Sequence, residues 1–234
     1  MKIGVIAGSV LPADETGFPP PLETDFGPTS SGILRMNAGP HDLLIISRHG
    51  VPPNIPPHMV NHRANVRSLM EAGAECLISI CSTGALHSGM RVPGLTIPRD
   101  YIDLFSGATF HDGDIFHATP AIDGDILSAL ARSSRKVAPH TTEGTVYVQT
   151  RGPRLETRAE VRLLSEWGDV VGMNMGPEAT LASELGMRFG AILTVDNYAN
   201  GVVDEALDFR DILDRAKMNW PLLLRVLSLL PERF

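Results

Sequence analysis

The chain has 234 residues, which suits one large domain or two small ones at roughly 100–200 residues each. A 43% hydrophobic content supplies a sizeable core and excludes intrinsic disorder. Twenty Lys and Arg against 27 Asp and Glu leave a net charge of −7 without a basic block, which excludes the clustered cations of nucleic-acid or anionic-membrane binding.

The opening MKIGVIAGSV has one lysine, no long apolar h-region and no small-residue cleavage site, so residues 3–8 read as a strand, not a signal peptide. No apolar run reaches the ~18 residues of a membrane span. A second strand is predicted at 42–47, then a helix at 61–72 closed by Gly73. Residues 76–81 and 93–98 read as buried strands. Cys76 and Cys81 can neither build a disulfide framework nor form a metal knuckle, and suit small buried residues of a reduced, cytoplasmic protein. Ile122, Ile126, Leu127, Leu130 and Ala131 fall at helical spacing within 120–135. Strand 144–149, helix 157–167, strand 169–173, helix 177–186 and strand 190–195 follow. The tail from Asp204 holds two helical pieces parted near Asn219–Pro221. The Pro-rich stretches 18–21 and 52–57 are too short to be linkers and read as ordered loops. This alternation predicts a single α/β domain over 1–234, a three-layer sandwich with a central mixed sheet flanked by helices.

Ligands of such folds gather at the carboxyl ends of strands. Small or polar residues follow the strands here at Gly8–Ser9, Ser47–Arg48–His49–Gly50, Ser82–Thr83–Gly84–Ala85, Arg151–Gly152–Pro153–Arg154 and Asp196–Asn197. AGS at 7–9 and STGA at 82–85 let backbone amides approach an anion, although tight turns explain them equally well. Arg48 beside His49 can grip phosphate bidentately, or make a surface salt bridge. Glu156 and Thr157 could line a site or merely cap the next helix.

His58, His62, His111 and His117 show no metal spacing, so no metal is expected. There is no GxSxG elbow, and Cys81 has no defined His partner, which argues against covalent catalysis. The GxGxxG fingerprint of a Rossmann oxidoreductase is incomplete. A non-catalytic binding module would have no need of the anion grip formed by Ser9 and Arg48.

From IAGSVL at 6–11 through SRHG (47–50), PPHMVNHRANV (56–66), STGAL (82–86), GPRLETRAEV (152–161), VGMNMGPEA (171–179) and DNYANG (196–201), the chain resembles the trimeric purine nucleoside phosphorylase and methylthioadenosine phosphorylase family. The resemblance implies replacement of the purine of a nucleoside by inorganic phosphate, a co-substrate, with no cofactor. It implies a homotrimer or dimer of trimers acting on small molecules, without nucleic-acid or membrane partners. By motif, Ser9, Arg48, His49, Ser82, Thr83 and Asn174 would hold phosphate. Relatives often carry Ser or Thr where Asn174 stands, and some carry Thr at Cys81. Met173 and Leu155 would lie against ribose and base, and His117 would reach a neighbour's 5′ pocket.

The base slot is the most specific part of the resemblance. Methylthioadenosine-specific relatives carry D-x-D where this chain reads Asn197–Tyr198–Ala199, whereas 6-oxopurine enzymes pair a Glu in GPxxET with an Asn. Glu156 can accept from purine N1–H while the Asn197 amide serves O6 and N7. These two are the expected catalytic pair for inosine, guanosine or S-methyl-5′-thioinosine. Adenine would set its N1 lone pair against the Glu156 carboxylate; Asp196 is the alternative acidic partner for an adenine-type reading.

Overall fold

The computed structural model describes residues 1–12, 17–204 and 209–234. The strands are β1 (Lys2–Ala7), β2 (Glu23–Thr24), β3 (Gly27–Pro28), β4 (Leu34–Ala38), β5 (His41–Ser47), β6 (Cys76–Ala85), β7 (Gly94–Ile102), β8 (Thr142–Gln149), β9 (Val170–Gly172) and β10 (Arg188–Tyr198). The helices are α1 (His62–Glu71), α2 (Gly124–Val137), α3 (Arg158–Leu164), α4 (Met175–Glu184), α5 (Phe209–Met218) and α6 (Trp220–Ser228). Each predicted strand and helix is present, with ends shifted by a few residues. The start of the predicted tail at 204 runs into 205–208, which lie outside the described residues.

Both faces of the sheet are covered, which is why its strands read as continuous apolar runs rather than alternating ones. Along β5, Leu43 and Ile45 pack with α2, α5 and α6, while Leu44 and Ile46 pack with α1 and α4. The reversal of side with each residue follows from the two-residue period of a strand. Asn61 caps α1, its Oδ1 accepting from Ala64 N–H at 3.1 Å, and Gly73 at φ +90° follows its end. No helix among the described residues is long and apolar enough to cross a membrane.

The sheet is mixed, in the order β10-β7-β8-β9-β6-β1-β5-β4, and β10 also pairs with β6. Five strands therefore close into a ring, and β1, β5 and the antiparallel edge strand β4 extend from it as an open wing. Neither the ring nor β4 is visible in the sequence. The alternating exposure of β4 gives a weak apolar signal, and ring closure depends on β6 and β10 being long enough to serve two neighbours each.

The length of β6 creates the site. Its first half pairs with β1 as far as Ile80, and its end pairs with β9 from Gly84 onward. Between them, Cys81–Ser82–Thr83 has β10 on one side and no strand on the other. Such a divergence of neighbouring strands is the switch-point crevice where α/β folds bind ligands.

Candidate functional site

A cleft of about 940 Å³ opens at that crevice. Ser9, His49, Ser82, Thr83, Leu155, Glu156, Met173, Asn174 and Asn197 all line it; Arg48 and His117 do not. At one end the chain leaves β1 through Gly8–Ser9, and Leu11 N–H closes a turn on Gly8 O at 2.9 Å. A Cβ at Gly8 would lie 2.7 Å from Arg48 Nη1 and 2.9 Å from His49 Nε2, so only glycine lets the first loop settle against the second.

Arg48 departs from expectation. It is 1% exposed, and its fork is closed on Glu178 of α4, with Nε to Oε1 at 2.6 Å and Nη2 to Oε2 at 2.9 Å. Nη1 donates to Ile80 O and Nη2 also to Ile6 O, both sheet carbonyls beneath the cradle. The bidentate grip predicted for phosphate is thus made on a buried carboxylate. The physical reason is that a guanidinium directly after a core strand needs a counter-charge inside the fold. Burial resists ionisation of Glu178, yet Arg48 outweighs it and holds that carboxyl at about 2. His62 Nδ1 stands 3.5 Å from Glu178 Oε1, an electrostatic neighbour beyond good hydrogen-bonding reach.

His49 lies above this pair. Its Nδ1 pairs with Ile55 O at 2.9 Å; burial first, and Arg48 second, press its pKa down to about 4. The ring is therefore neutral at pH 7 with its proton on Nδ1. Ser82 and Thr83 sit in the interior of β6, not in the amide nest expected of STGA. The Thr83 hydroxyl donates to Thr194 O at 2.8 Å, so it has no proton left for an anion. Asn174 precedes α4 and is 8% exposed, with its Oδ1 buried and unpaired.

At the other end, Glu156 is 8% exposed and accepts from Thr150 Oγ1 at 2.7 Å. It is not a cap. Thr157 caps α3 with Glu160 in a reciprocal box, which leaves the Glu156 side chain to the cleft. A Cβ at Gly152, where φ is +66°, would fall 2.5 Å from Met173 Sδ; this glycine allows the GPRLE loop to press on the methionine. Asn197 follows a bulge in β10 and donates from Nδ2 to Tyr198 O at 2.8 Å. The same bulge turns Asp196 away from the cleft into complete burial, where its carboxylate accepts from Thr194 Oγ1 at 2.6 Å and Asn219 Nδ2 at 3.0 Å. Burial raises its pKa against hydrogen bonds from Ser82 and Thr194. Asp196 is therefore unavailable as the alternative acidic partner.

Cys81 is buried, and its thiol is pushed up to about 11 by burial, which removes it as a nucleophile at neutral pH. His117 is exposed, away from the cleft of its own chain. No group of three potential metal ligands occurs among the described residues. Asn54 and Ile55 of the Pro-rich loop, Asn200, and Ile212, Leu213 and Lys217 of α5 also line the cleft. Asn200 lay within DNYANG, but the sequence carried no sign that the 52–57 loop or α5 folds back over the switch point.

A helix-covered mixed sheet, partly closed into a ring and split at β6 into a two-ended cleft, defines an α/β fold of the nucleoside phosphorylase type. The chain belongs to the phosphorylase superfamily, whose model matches residues 2–229. It is 41% identical over 200 residues to a probable 6-oxopurine nucleoside phosphorylase of Archaeoglobus fulgidus, covering 85% of this chain and 81% of that one. It is 32% identical over 228 residues to a probable S-methyl-5′-thioinosine phosphorylase of Methanocaldococcus jannaschii, covering 92% and 86%. A Thermofilum pendens S-methyl-5′-thioadenosine phosphorylase is 35% identical over 207 residues, covering 85% and 79%. Among solved structures, methylthioadenosine phosphorylase from Schistosoma mansoni in complex with adenine superposes with a TM-score of 0.83, covering 97% of this chain and 89% of that one. At 20% identity that likeness supports the fold alone.

Proposed function

We propose that the protein cleaves the N-glycosidic bond of 6-oxopurine nucleosides with inorganic phosphate, giving free base and ribose or methylthioribose 1-phosphate. The observation that carries this reading is the placement of Glu156 and Asn197 in one cleft with the Gly8–Ser9 cradle, Glu156 nine-tenths buried. The Glu156 carboxylate accepts from N1–H, and the Asn197 amide turns from its bond to Tyr198 O to serve O6 and N7. Adenine has a lone pair at N1, and a buried mismatch of this kind costs about 1–3 kcal/mol, or roughly tenfold to a hundredfold. With Asp196 turned away, no acidic group is left to receive a 6-amino group at that position.

In the reaction a phosphate oxygen forms the new bond to C1′, and the C1′–N9 electron pair departs with the purine. The protein forms no covalent bond. Ser9 and the free flank of β6 hold the anion; the buried Arg48–Glu178 pair fixes the strand ends beneath it; Met173 packs against the sugar. Catalysis is then positioning together with stabilisation of charge growing on the purine.

The working unit is a trimer or a dimer of trimers. Segment 103–118, which carries His117, exposes Leu104, Phe105, Ile115 and Phe116, the last two being 96% and 47% accessible. Large apolar side chains exposed together in one segment are what an interface between copies would cover. The test of the activity is release of free base from inosine, guanosine, methylthioinosine, methylthioadenosine and adenosine, each with and without phosphate. Phosphate-dependent release from the 6-oxopurines is expected; preference for methylthioadenosine over methylthioinosine would refute the base assignment.

A further inference from the structure

Thr150 follows β8 directly, and its side chain supports Glu156 from outside the cleft. It lines a second, polar pocket of about 450 Å³ and not the cleft itself. The Thr150 N–H donates to Gly172 O at 2.8 Å, so that carbonyl is already served. The single hydroxyl proton therefore goes to Glu156 Oε1 at 2.7 Å, not to Gly172 O at 3.4 Å. Arg154 is closed on Glu160, and among the described residues no other donor reaches the Glu156 carboxylate. Oε1 is thus committed, and Oε2 is left for a ligand. The loop is pinned independently, by Asn200 Nδ2 donating to Glu156 O at 3.2 Å and by the Thr157–Glu160 box.

We propose that Thr150 is a positioning residue that sets base choice: by donating to Oε1 it holds Glu156 as a carboxylate and presents Oε2 as the acceptor for purine N1–H. A hydrogen bond given to the charged form of a group favours that form. Adenine could be received only by a neutral carboxyl that turns its proton toward the N1 lone pair, and a donor fixed on Oε1 opposes that state. The inference rests on the reading of Glu156 as the N1 partner and deepens it. Preference for one base over the other is assigned to a hydroxyl outside the cleft, and not to the carboxylate alone.

The experiment measures kcat/KM for inosine and for adenosine at saturating phosphate in the full chain. Thr150→Val keeps the shape and removes the donor, and the inosine-to-adenosine ratio should fall severalfold, up to about tenfold. Thr150→Ser, which keeps the donor, should restore the ratio. An unchanged ratio in a folded Thr150→Val overturns the proposal. Equal losses on both nucleosides, the mark of a purely structural support, overturn it too, as does failure of serine to restore the ratio. Should Thr150→Val not fold, Thr150→Cys, a much weaker donor of similar size, is read by the same ratio. Failure of the phosphorylase reading is distinguishable, because the wild type then releases no base with phosphate. Calorimetric binding of hypoxanthine and adenine to the wild type and to Thr150→Val decides the proposal in that case. A hypoxanthine preference that the variant loses supports it, and a wild type without that preference overturns it.

Discussion

Arg48 shows how a residue can serve an anion site without lining it. Its guanidinium is closed on Glu178 and on sheet carbonyls, so Arg48→Ala strands a buried carboxylate, at a cost of about 3–5 kcal/mol. The expected outcome is a large fall in denaturation midpoint together with a raised phosphate KM. Arg48→Met combined with Glu178→Leu removes both charges; it should recover much of the stability in a denaturant titration while leaving the KM raised. At the other end, Asn197→Asp places a carboxylate where purine O6 and developing negative charge lie. It should shift the inosine-to-adenosine ratio of kcat/KM by about 1–3 kcal/mol against inosine, measured at saturating phosphate. An unchanged ratio would remove Asn197 from the base slot.

Two short helices aim the site. The Thr157–Glu160 box fixes the start of α3 immediately after Glu156, and Arg154 reaches across to Glu160 with Nη1 at 2.7 Å and Nη2 at 2.6 Å. Thr157→Ala should cost about 0.5–2 kcal/mol of stability. Because the lost cap frees the segment carrying Glu156, nucleoside KM should rise while phosphate KM stays put; steady-state kinetics with each substrate varied checks this. Helix α5 brings Ile212 and Leu213 to the cleft, an apolar contribution from an element amphipathic along its length. A 5′-methylthio group gains by burial against such surface and a 5′-hydroxyl does not. Leu213→Asn should therefore reduce kcat/KM for methylthioinosine more than for inosine, and equal losses would place the 5′ group elsewhere.

Over the whole molecule, acid should act through the cradle before it reaches the other carboxylates. His49 has an ordinary value of 6.5 and a folded value of about 4. A depressed pKa contributes stability that is present above 6.5 and lost as pH falls through 4. Glu178, at about 2 against 4.5, adds a second loss over that lower range. Tm measured from pH 7 to pH 4 should fall, and His49→Gln should flatten the curve in that window. Assembly belongs to the same scale. Ile115→Asp should dissociate the proposed trimer in light scattering while leaving the secondary structure intact, because Ile115 is 96% exposed in its own chain. A wild type that is monomeric and fully active would refute the assembly.

The sequence by itself determined the order of the helices and of every strand but β2, β3 and β4, the α/β class and most of the cleft. Those depend on local signals: apolar runs for doubly covered strands, helical spacing in α2, glycine after α1, and small residues at strand ends. Side-chain direction was not legible. SRHG read as an anion grip because a sequence shows charge but not its partner, and Glu178 lies 130 residues away across the sheet. Likewise Asp196 and Asn197 are adjacent letters, and only the bulge in β10, set by its register with β6, sends one into the protein and the other into the cleft. The closed ring, the unpaired flank of β6 and the lone acceptor on Asn174 all depend on contacts between distant segments. A long strand with two partners opens a crevice only where those partners part, and that is decided by packing in three dimensions.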